Sequence, residues 1–316
     1  MNIENITKAI DLMQKQQLTL DVLELTAEDL RCIKNIGHRV KYHYDPSKED
    51  FVYYIVPKDD MAYIKISDQK KKGKQKLNIL EISDLHAGSD KFDYDGLNKT
   101  LKEAVKRKVQ YVHISGDLID GHNMYRSQDR VLEYNSAEGQ IDMVFEILSQ
   151  YDLWYIASMG NHDASYSIDG SVDPLKLLER KMAYAGKKFT YLDAYEANII
   201  HAGVVFRLVH LAGAMARSKT YKGQKYLANV FDSSLNDVKL GQKDYNLRSV
   251  QGGHYHVRNT FEVGGIDFIM PGNYQHDGDL TKRMGITGKT GGVFRIIEIY
   301  KGQIIKEIQE FYKVGV

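Results

Sequence analysis

The sequence has very little cysteine, no long apolar run and almost no net charge. Cys32 is the only cysteine among 316 residues, so an internal disulfide is impossible and zinc sites built on several thiolates are excluded. No apolar stretch approaches the roughly 20 residues that cross a bilayer, and the amino terminus lacks a signal-peptide pattern. The formal net charge is +1, so any contact with a polyanion must be local. These absences predict a cytoplasmic protein with no membrane partner.

The chain divides at a lysine-rich segment, residues 69–76 (QKKKGKQK). Such a composition is typical of an exposed linker, with a phosphate-contacting strip as the alternative. Residues 1–68 before it predict a small unit of helices followed by a hairpin. Thr26 would cap one of the helices, and Gly37 would end it. The helical spacing and the two alternating segments lie at Ile3–Met13, Arg39–Tyr44 and Phe51–Val56.

A helix-plus-hairpin unit of this kind resembles a winged-helix module, which would place aromatic and basic side chains of the hairpin on DNA. However, residues 1–60 contain 11 acidic and 8 basic side chains, which argues against strong phosphate attraction. A packing or oligomerisation unit is therefore the alternative, and homo-oligomer formation is left open.

From residue 77 onward the pattern alternates between strands and helices. Three apolar strands each end directly before a polar motif, at Leu77–Ile82, Tyr111–Ser115 and Trp154–Ser158. Helices are predicted between them, at Leu97–Val105 and Ser136–Leu148. Open α/β sheets place their functional sites at the carboxyl ends of strands. The later part of the chain is richer in strands, which predicts a second sheet packed on the first. Those strands are Ala197–His201, Val204–Leu211, Leu247–Gln251, Ile266–Met270, Val293–Ile299 and Ile304–Tyr312.

The first two motifs supply carboxylates in positions that suit a metal centre. Asp84 and His86 are two residues apart in an extended segment, so both side chains point the same way and can hold one cation. Asp117, in Gly-Asp-Leu-Ile-Asp, has two oxygens that can bridge two metals about 3.5–4 Å apart. Asp120 follows one turn later in a supporting position. Taken alone, Asp84 and His86 are more typical of a surface loop than of a metal site, and the Gly-Asp pair is common at a capped helix start.

The later motifs add an amide and several imidazoles. In Gly-Asn-His-Asp, Asn161 offers a neutral oxygen ligand, and the His162 imidazole could protonate a leaving oxygen near neutral pH. His254 and His256 repeat the two-residue spacing. His210 ends an apolar strand, where a histidine is more often a core residue, but its place in the motif order favours a ligand.

The five motif blocks, in this order, resemble the calcineurin-like metallophosphoesterase superfamily over roughly residues 77–300. The resemblance implies a four-layer αββα sandwich of two mixed sheets, which would occupy residues 77–316. It implies one metal held by Asp84, His86, Asp117 and His256, and a second held by Asp117, Asn161, His210 and His254. A hydroxide bridging the metals would attack phosphorus, His162 would act as general acid, and Asp120 would orient His162. Two divalent cations are implied, manganese first, with iron, zinc, nickel and magnesium as alternatives.

Two positions distinguish this chain from the protein serine/threonine phosphatases of that superfamily. Those enzymes carry phosphate-binding arginines where this chain has Gly121 and Met159. Arginine binds phosphate with two parallel hydrogen bonds that other side chains do not reproduce. Paired histidines such as His254 and His256 are similar to those of Mre11-type nucleases and cyclic-nucleotide phosphodiesterases. The N-terminal unit with its lysine-rich linker suggests a phage or prophage protein.

The expected function is metal-dependent phosphodiester hydrolysis, with DNA as the first substrate. A cyclic-nucleotide or small-molecule phosphodiesterase is the second hypothesis, and a DNA-binding regulator with a vestigial catalytic domain is the third. Intact His162 and Asp120 argue against the third. Substrate contacts are expected from loops beside the motifs, with the candidates His122, Asn123, Arg217 and Tyr274.

Overall fold

The computed structural model describes residues 3–35, 38, 40–55, 61–66, 73–168, 172–213, 218, 220–239, 246–277 and 290–314. The predicted N-terminal helix-plus-hairpin unit is present. Thr26 and Asp29 cap the third helix reciprocally, because Asp29 N donates to Thr26 Oγ1 at 3.3 Å and Thr26 N donates to an Asp29 oxygen at 2.9 Å. The elements of the unit are α1 (Ile3–Lys15), α2 (Leu20–Leu23), α3 (Ala27–Asn35), β1 (Val40–Asp45) and β2 (Asp50–Ile55).

The first large sheet carries the strands that end at the early motifs. Its six strands run in the order β14-β13-β4-β5-β6-β7, with β4 to β7 parallel and β13 antiparallel to both of its neighbours. Parallel strands deliver their carboxyl ends to one edge, which brings the motifs together. The strands are β4 (Gln75–Ile82), β5 (Tyr111–Ser115), β6 (Trp154–Ser158), β7 (Phe189–Tyr191), β13 (Gly291–Tyr300) and β14 (Gln303–Lys313).

The second sheet also has six strands and is also mixed. Its order is β11-β12-β10-β9-β8-β3, with β9, β10 and β12 parallel to one another. The strands are β3 (Ala62–Ile66), β8 (Glu196–His201), β9 (Val204–His210), β10 (Leu247–Gly253), β11 (Arg258–Val263) and β12 (Ile266–Pro271).

Helices cover the outer face of each sheet, so the predicted four-layer αββα order is confirmed. Four helices of the first sheet's outer layer contribute side chains to its core, and one further helix packs on the second sheet. Aliphatic side chains of both sheets form the layer between them. The remaining helices are α4 (Tyr94–Lys106), α5 (Ala137–Leu148), α6 (Asn161–Ile168), α7 (Pro174–Tyr184) and α8 (Tyr221–Lys239). None of the described helices is long and apolar enough to cross a membrane.

Three expectations about organisation need correction. Gln75 and Lys76, assigned to the linker, begin strand β4, whereas residues 69–72 lie outside the described residues. Strand β3, assigned to the N-terminal unit, pairs with β8 and belongs to the second sheet. The last two strands belong to the first sheet and not to the second. Strand β13 pairs antiparallel with β4, and β14 pairs with the other edge of β13. Gly37, the expected helix end, lies outside the described residues.

Candidate metal centre

The predicted metal-binding side chains converge at the carboxyl ends of strands from both sheets. Asp84 and His86 follow β4, Asp117 follows β5, and Asn161 begins α6 directly after β6. From the second sheet, His210 ends β9, and the two later histidines follow β10. The site therefore lies where the two sheets meet at one edge.

Five of these seven residues have left-handed backbone conformations, which non-glycine residues rarely adopt. Such strain persists only where surrounding contacts hold it, and it is frequent at functional sites. Gly116 has the same requirement, with φ +82°, and a Cβ there would lie 2.5 Å from His210 Nδ1. The five residues and their φ values are Asp84 (53°), His86 (53°), Asp117 (52°), His254 (93°) and His256 (52°).

One cluster of ligand atoms surrounds the end of β4. The Nε2 atoms of His86 and His256 lie 3.0 Å apart, and His256 Nε2 lies 3.7 Å from an Asp84 oxygen. Two imidazole nitrogens at this distance need a shared proton or a cation between them. His86 Nδ1 is engaged by Asp120, so its Nε2 is left for the cluster. Asp84, His86 and His256 are all placed to hold one metal ion.

A second cluster lies beside the first. His210 Nε2 and His254 Nδ1 each lie 3.0 Å from the Asn161 amide oxygen. The other nitrogen of each ring faces a backbone carbonyl: Ser115 for His210, and Gly213 for His254. A carbonyl can only accept a proton, so these contacts direct the unprotonated nitrogen of each ring toward the cluster.

Asp117 lies between the clusters. Its Oδ2 is 3.2 Å from His210 Nε2 and 3.7 Å from His86 Nε2, and its Oδ1 accepts from the backbone N–H of His162 at 2.9 Å. The arrangement has the donor set of two neighbouring oxygen and nitrogen sites that share one carboxylate.

The electrostatics of the clusters favour added positive charge. Burial opposes protonation of His210, yet Asp117 outweighs it and raises the pKa of His210 to about 10. Burial likewise opposes protonation of His86, but the hydrogen bond to Asp120 and the charge of Asp117 raise its pKa to about 9. Burial raises the pKa of Asp84 to about 6. The residues present therefore fit divalent cations, which would satisfy the carboxylates in place of protons.

Asp120 contacts His162 differently from the expectation. Its carboxylate oxygen lies 3.0 Å from His86 Nδ1 but 3.9 Å from His162 Nδ1. The backbone carbonyl of Asp120 instead accepts from His162 Nδ1 at 2.6 Å. His162 is oriented by the main chain, and its Nε2 has no partner among the described residues, so this nitrogen is available to a ligand.

Two supporting residues were not anticipated from the sequence. Gln128 Nε2 donates to the carbonyl and to a carboxylate oxygen of Asp120, at 2.8 and 2.9 Å. Asp163 accepts from Leu118 N, Ile119 N and Gly160 N, which ties two motif loops together. Asp163 belongs to the Gly-Asn-His-Asp block, so the motif could have indicated its role. Gln128 begins a short 3-10 helix, Gln128–Arg130, in a polar segment whose sequence did not indicate a role.

The structure places the four expected substrate-contacting residues in different environments. Asn123 is exposed in the loop after Asp120, and His122 stacks on the Tyr166 ring with 4.2 Å between ring centres. Arg217 lies outside the described residues. The expectation for Tyr274 needs correction, because its ring is completely buried and its hydroxyl donates to Thr100 Oγ1 at 3.0 Å. The apolar ring fills the core beneath the site.

Comparison with known proteins identifies a family and several distant relatives. The family model of the calcineurin-like phosphoesterases matches residues 77–270. The DNA polymerase II small subunit of Methanocaldococcus jannaschii is 23% identical over 267 residues, which cover 72% of this chain and 43% of that protein. The corresponding subunit of Pyrococcus horikoshii is 22% identical over 75% of this chain and 43% of its own length. The chain thus spans less than half the length of these relatives.

A third relative carries a different name. A 2',3'-cyclic-nucleotide 2'-phosphodiesterase/3'-nucleotidase of Salmonella typhimurium is 27% identical over 130 residues, which cover 37% of this chain and 18% of that protein. Among solved structures, an archaeal phosphodiesterase is 18% identical, with a TM-score of 0.42 over 74% of this chain and all of that chain.

Proposed function

Because the chain belongs to the calcineurin-like phosphoesterase family, we propose that it hydrolyses phosphodiesters at two divalent cations. The observation that carries this proposal is Asp117, whose carboxylate lies between the two clusters of ligand atoms. The cation bound at the end of β4 would take Asp84, His86 and His256, and the other would take Asn161, His210 and His254. When bound, the cations would supply a water of lowered pKa and neutralise charge on the phosphate.

The chain's own residues complete the chemistry. His162 holds a proton on Nδ1 against the Asp120 carbonyl, which leaves Nε2 facing the site. In its doubly protonated form this ring would donate the Nε2 proton to the leaving oxygen. The negative charge of Asp117 stabilises that form, although burial lowers the pKa of His162. His162 is therefore proposed as the general acid.

We propose a nucleic acid, DNA first, as the substrate. The relatives named as DNA polymerase subunits support this choice over a small molecule. The relative named as a cyclic-nucleotide phosphodiesterase and nucleotidase supports a second candidate, hydrolysis of a cyclic nucleotide. Gly121 and Met159 argue against a protein phosphatase, because they stand where those enzymes carry phosphate-binding arginines. Manganese as the metal and a phage or prophage origin stay predictions.

The test is hydrolysis with and without the bridging carboxylate. Wild-type protein with manganese is expected to hydrolyse bis-p-nitrophenyl phosphate and linear DNA, and chelation should remove both activities. Asp117→Asn should lower both by at least about 100-fold, because an amide offers the cations one oxygen and no charge.

A matched control is Asp90→Asn, an exposed carboxylate that among the described residues pairs with its neighbour Lys91. It should retain wild-type rates. Equal activity in Asp117→Asn and wild type would contradict the two-metal assignment. Cleavage of 2',3'-cyclic nucleotides without cleavage of DNA would favour the second candidate.

A further inference from the structure

A groove of about 310 Å³ lies between helix α3 and the β1–β2 hairpin of the N-terminal unit, beside helix α7. Its volume is that of a small-molecule site, so it accepts a unit the size of a nucleotide. Three cationic and three aromatic side chains line it: Arg31, Lys34, Arg180, Tyr42, Phe51 and Tyr53.

The cations of the groove are available to a ligand. Arg31, Lys34 and Arg180 are exposed, and within the described parts of the chain no carboxylate pairs with any of them. Nearby Lys41 and Lys176 behave differently, because both form ion pairs with Asp193 at 2.8 and 3.0 Å. The groove therefore holds three positive charges that no described side chain neutralises.

Four acidic side chains of the N-terminal unit bond to groups outside the groove. Asp29 caps α3 through Thr26, and Asp11 pairs with Lys15 at 2.7 Å. Asp45 and Asp50 bond within the hairpin turn. None of the described residues that line the groove is acidic, so the excess of acidic residues counted in the sequence does not describe this surface, and local charge decides the attraction of a polyanion.

The rings of Tyr42, Phe51 and Tyr53 form an aromatic wall on one side of the groove. The Tyr42 and Tyr53 rings are 5.5 Å apart and tilted by 32°, and Phe51 meets Tyr42 edge-on at 6.0 Å. All three rings are half-buried, so part of each remains accessible. Single-stranded nucleic acids are bound by this combination of cations along the backbone and aromatic rings under the bases.

We propose that this groove binds one strand of a nucleic acid, with phosphates on Arg31, Lys34 and Arg180 and a base stacked on the aromatic wall. The proposal rests on the proposed nucleic-acid substrate. Arg180 lies on α7, which packs on α6, the helix that begins with Asn161 and His162. A strand held at the groove would thus be held by the helix layer that also supports the metal site.

The test measures binding by the full chain in EDTA, so that no strand is cleaved. Fluorescence anisotropy of a labelled 20-nucleotide oligothymidylate is followed between 50 and 200 mM NaCl. Arg31→Ala/Arg180→Ala should weaken binding at least tenfold and reduce the slope of log K against log salt by about 1.4, or roughly 0.7 for each phosphate contact. Arg31→Lys/Arg180→Lys should restore most of the slope.

Stacking is tested separately by Tyr42→Leu. This variant should weaken binding about tenfold and leave the salt slope unchanged, because it removes a ring without removing charge. Lys99→Ala/Lys102→Ala removes two exposed cations of α4, outside the groove, and should bind as wild type does. Thermal unfolding of every variant shows whether it is folded.

Several results would overturn the groove as the binding site. They are failure of the wild type to bind the oligonucleotide, unchanged affinity and slope in Arg31→Ala/Arg180→Ala, and tighter binding of a duplex than of the single strand. Failure of the proposed function is distinguishable, because hydrolysis of bis-p-nitrophenyl phosphate requires no groove. Groove variants should hydrolyse it normally, whereas Asp117→Asn should lose hydrolysis and keep oligonucleotide binding in EDTA.

Discussion

The carboxylate of Asp120 determines the orientation of a proposed metal ligand. It accepts from His86 Nδ1 at 3.0 Å, while Gln128 holds its other oxygen. Hydrogen-bond partners of this kind fix the ring and tautomer of a ligating histidine. The motif predicted a supporting role for Asp120, but it could not reveal which histidine is supported. Which histidine Asp120 supports depends on the distances from its carboxylate to the two rings, which lie on different loops.

Asp120→Asn should therefore weaken one metal site more than the other. Loss of a supporting carboxylate typically costs 10- to 100-fold in metal affinity. A calorimetric titration with manganese should show this loss at the site of His86, while the site of His210 and His254 keeps its affinity. Asp90→Asn serves as the control. Equal weakening of both sites, or of neither, would contradict the assignment of Asp120 to His86.

At the scale of elements, Glu179 of α7 joins the N-terminal hairpin to the first sheet. Its Oε1 accepts from Tyr44 N of β1 at 2.8 Å and from Tyr191 N of β7 at 2.9 Å. The side chain is buried, and its Oε2 has no partner among the described residues. Burial raises the pKa of Glu179 to about 8. The joint is consequently most stable when this carboxyl is neutral.

The raised pKa of Glu179 makes the free energy of unfolding decrease as the pH rises. The folded state binds the Glu179 proton up to about pH 8, whereas the unfolded state releases it near 4.5. The stability contributed by the neutral Glu179 carboxyl is fully present below pH 4.5 and is lost as the pH rises through 8. Glu179→Gln keeps an oxygen acceptor without the charge, so it should exceed wild type in stability at pH 8.5, with a smaller difference at pH 5.5. Urea unfolding at both values measures this, and an equal difference at both would contradict it.

Elements were predictable where apolar residues dominate them. The bounds of β5 and β6 agree with the sequence prediction, because each is a short buried run between polar segments. Helix α6 was not predicted, since it begins at the site residues Asn161 and His162 and contains few apolar positions. Strand β11 was also missed, because it lies at a sheet edge and is largely polar and exposed.

At the scale of the whole molecule, Arg295 links a buried ion pair of the first sheet to a strand of the second sheet. Arg295 of β13 donates to Glu81 of β4 at 2.6 Å and to Ser249 of β10 at 2.8 Å. Arg295 and Glu81 are essentially inaccessible to solvent. The αββα order could be expected from the resemblance to the phosphoesterase family. The contact of Arg295 with Glu81 could not, because the two residues are more than 200 residues apart in the chain.

Arg295→Met should lower the free energy of unfolding by about 3–5 kcal/mol, since it leaves Glu81 buried without its partner. Glu81→Leu/Arg295→Met should recover most of that loss, because the fully buried carboxylate is removed together with its partner, and Glu307, the other carboxylate on Arg295, is partly exposed. Urea unfolding of both single variants and the double variant measures the coupling. Lys91→Ala, at an exposed pair, should change stability by less than about 0.5 kcal/mol. Additive losses in the double variant would contradict the argument.

The return of β13 to the side of β4 has a consequence for synthesis of the protein. Strand β4 carries the earliest ligands, but its neighbour on one side is supplied only by residues 291–300. While the chain emerges from a ribosome, β4 and β5 can pair, yet β4 retains an unpaired edge until residues 291–300 have also emerged. A nascent chain that already contains every proposed ligand therefore still lacks the strand that completes the sheet beneath them.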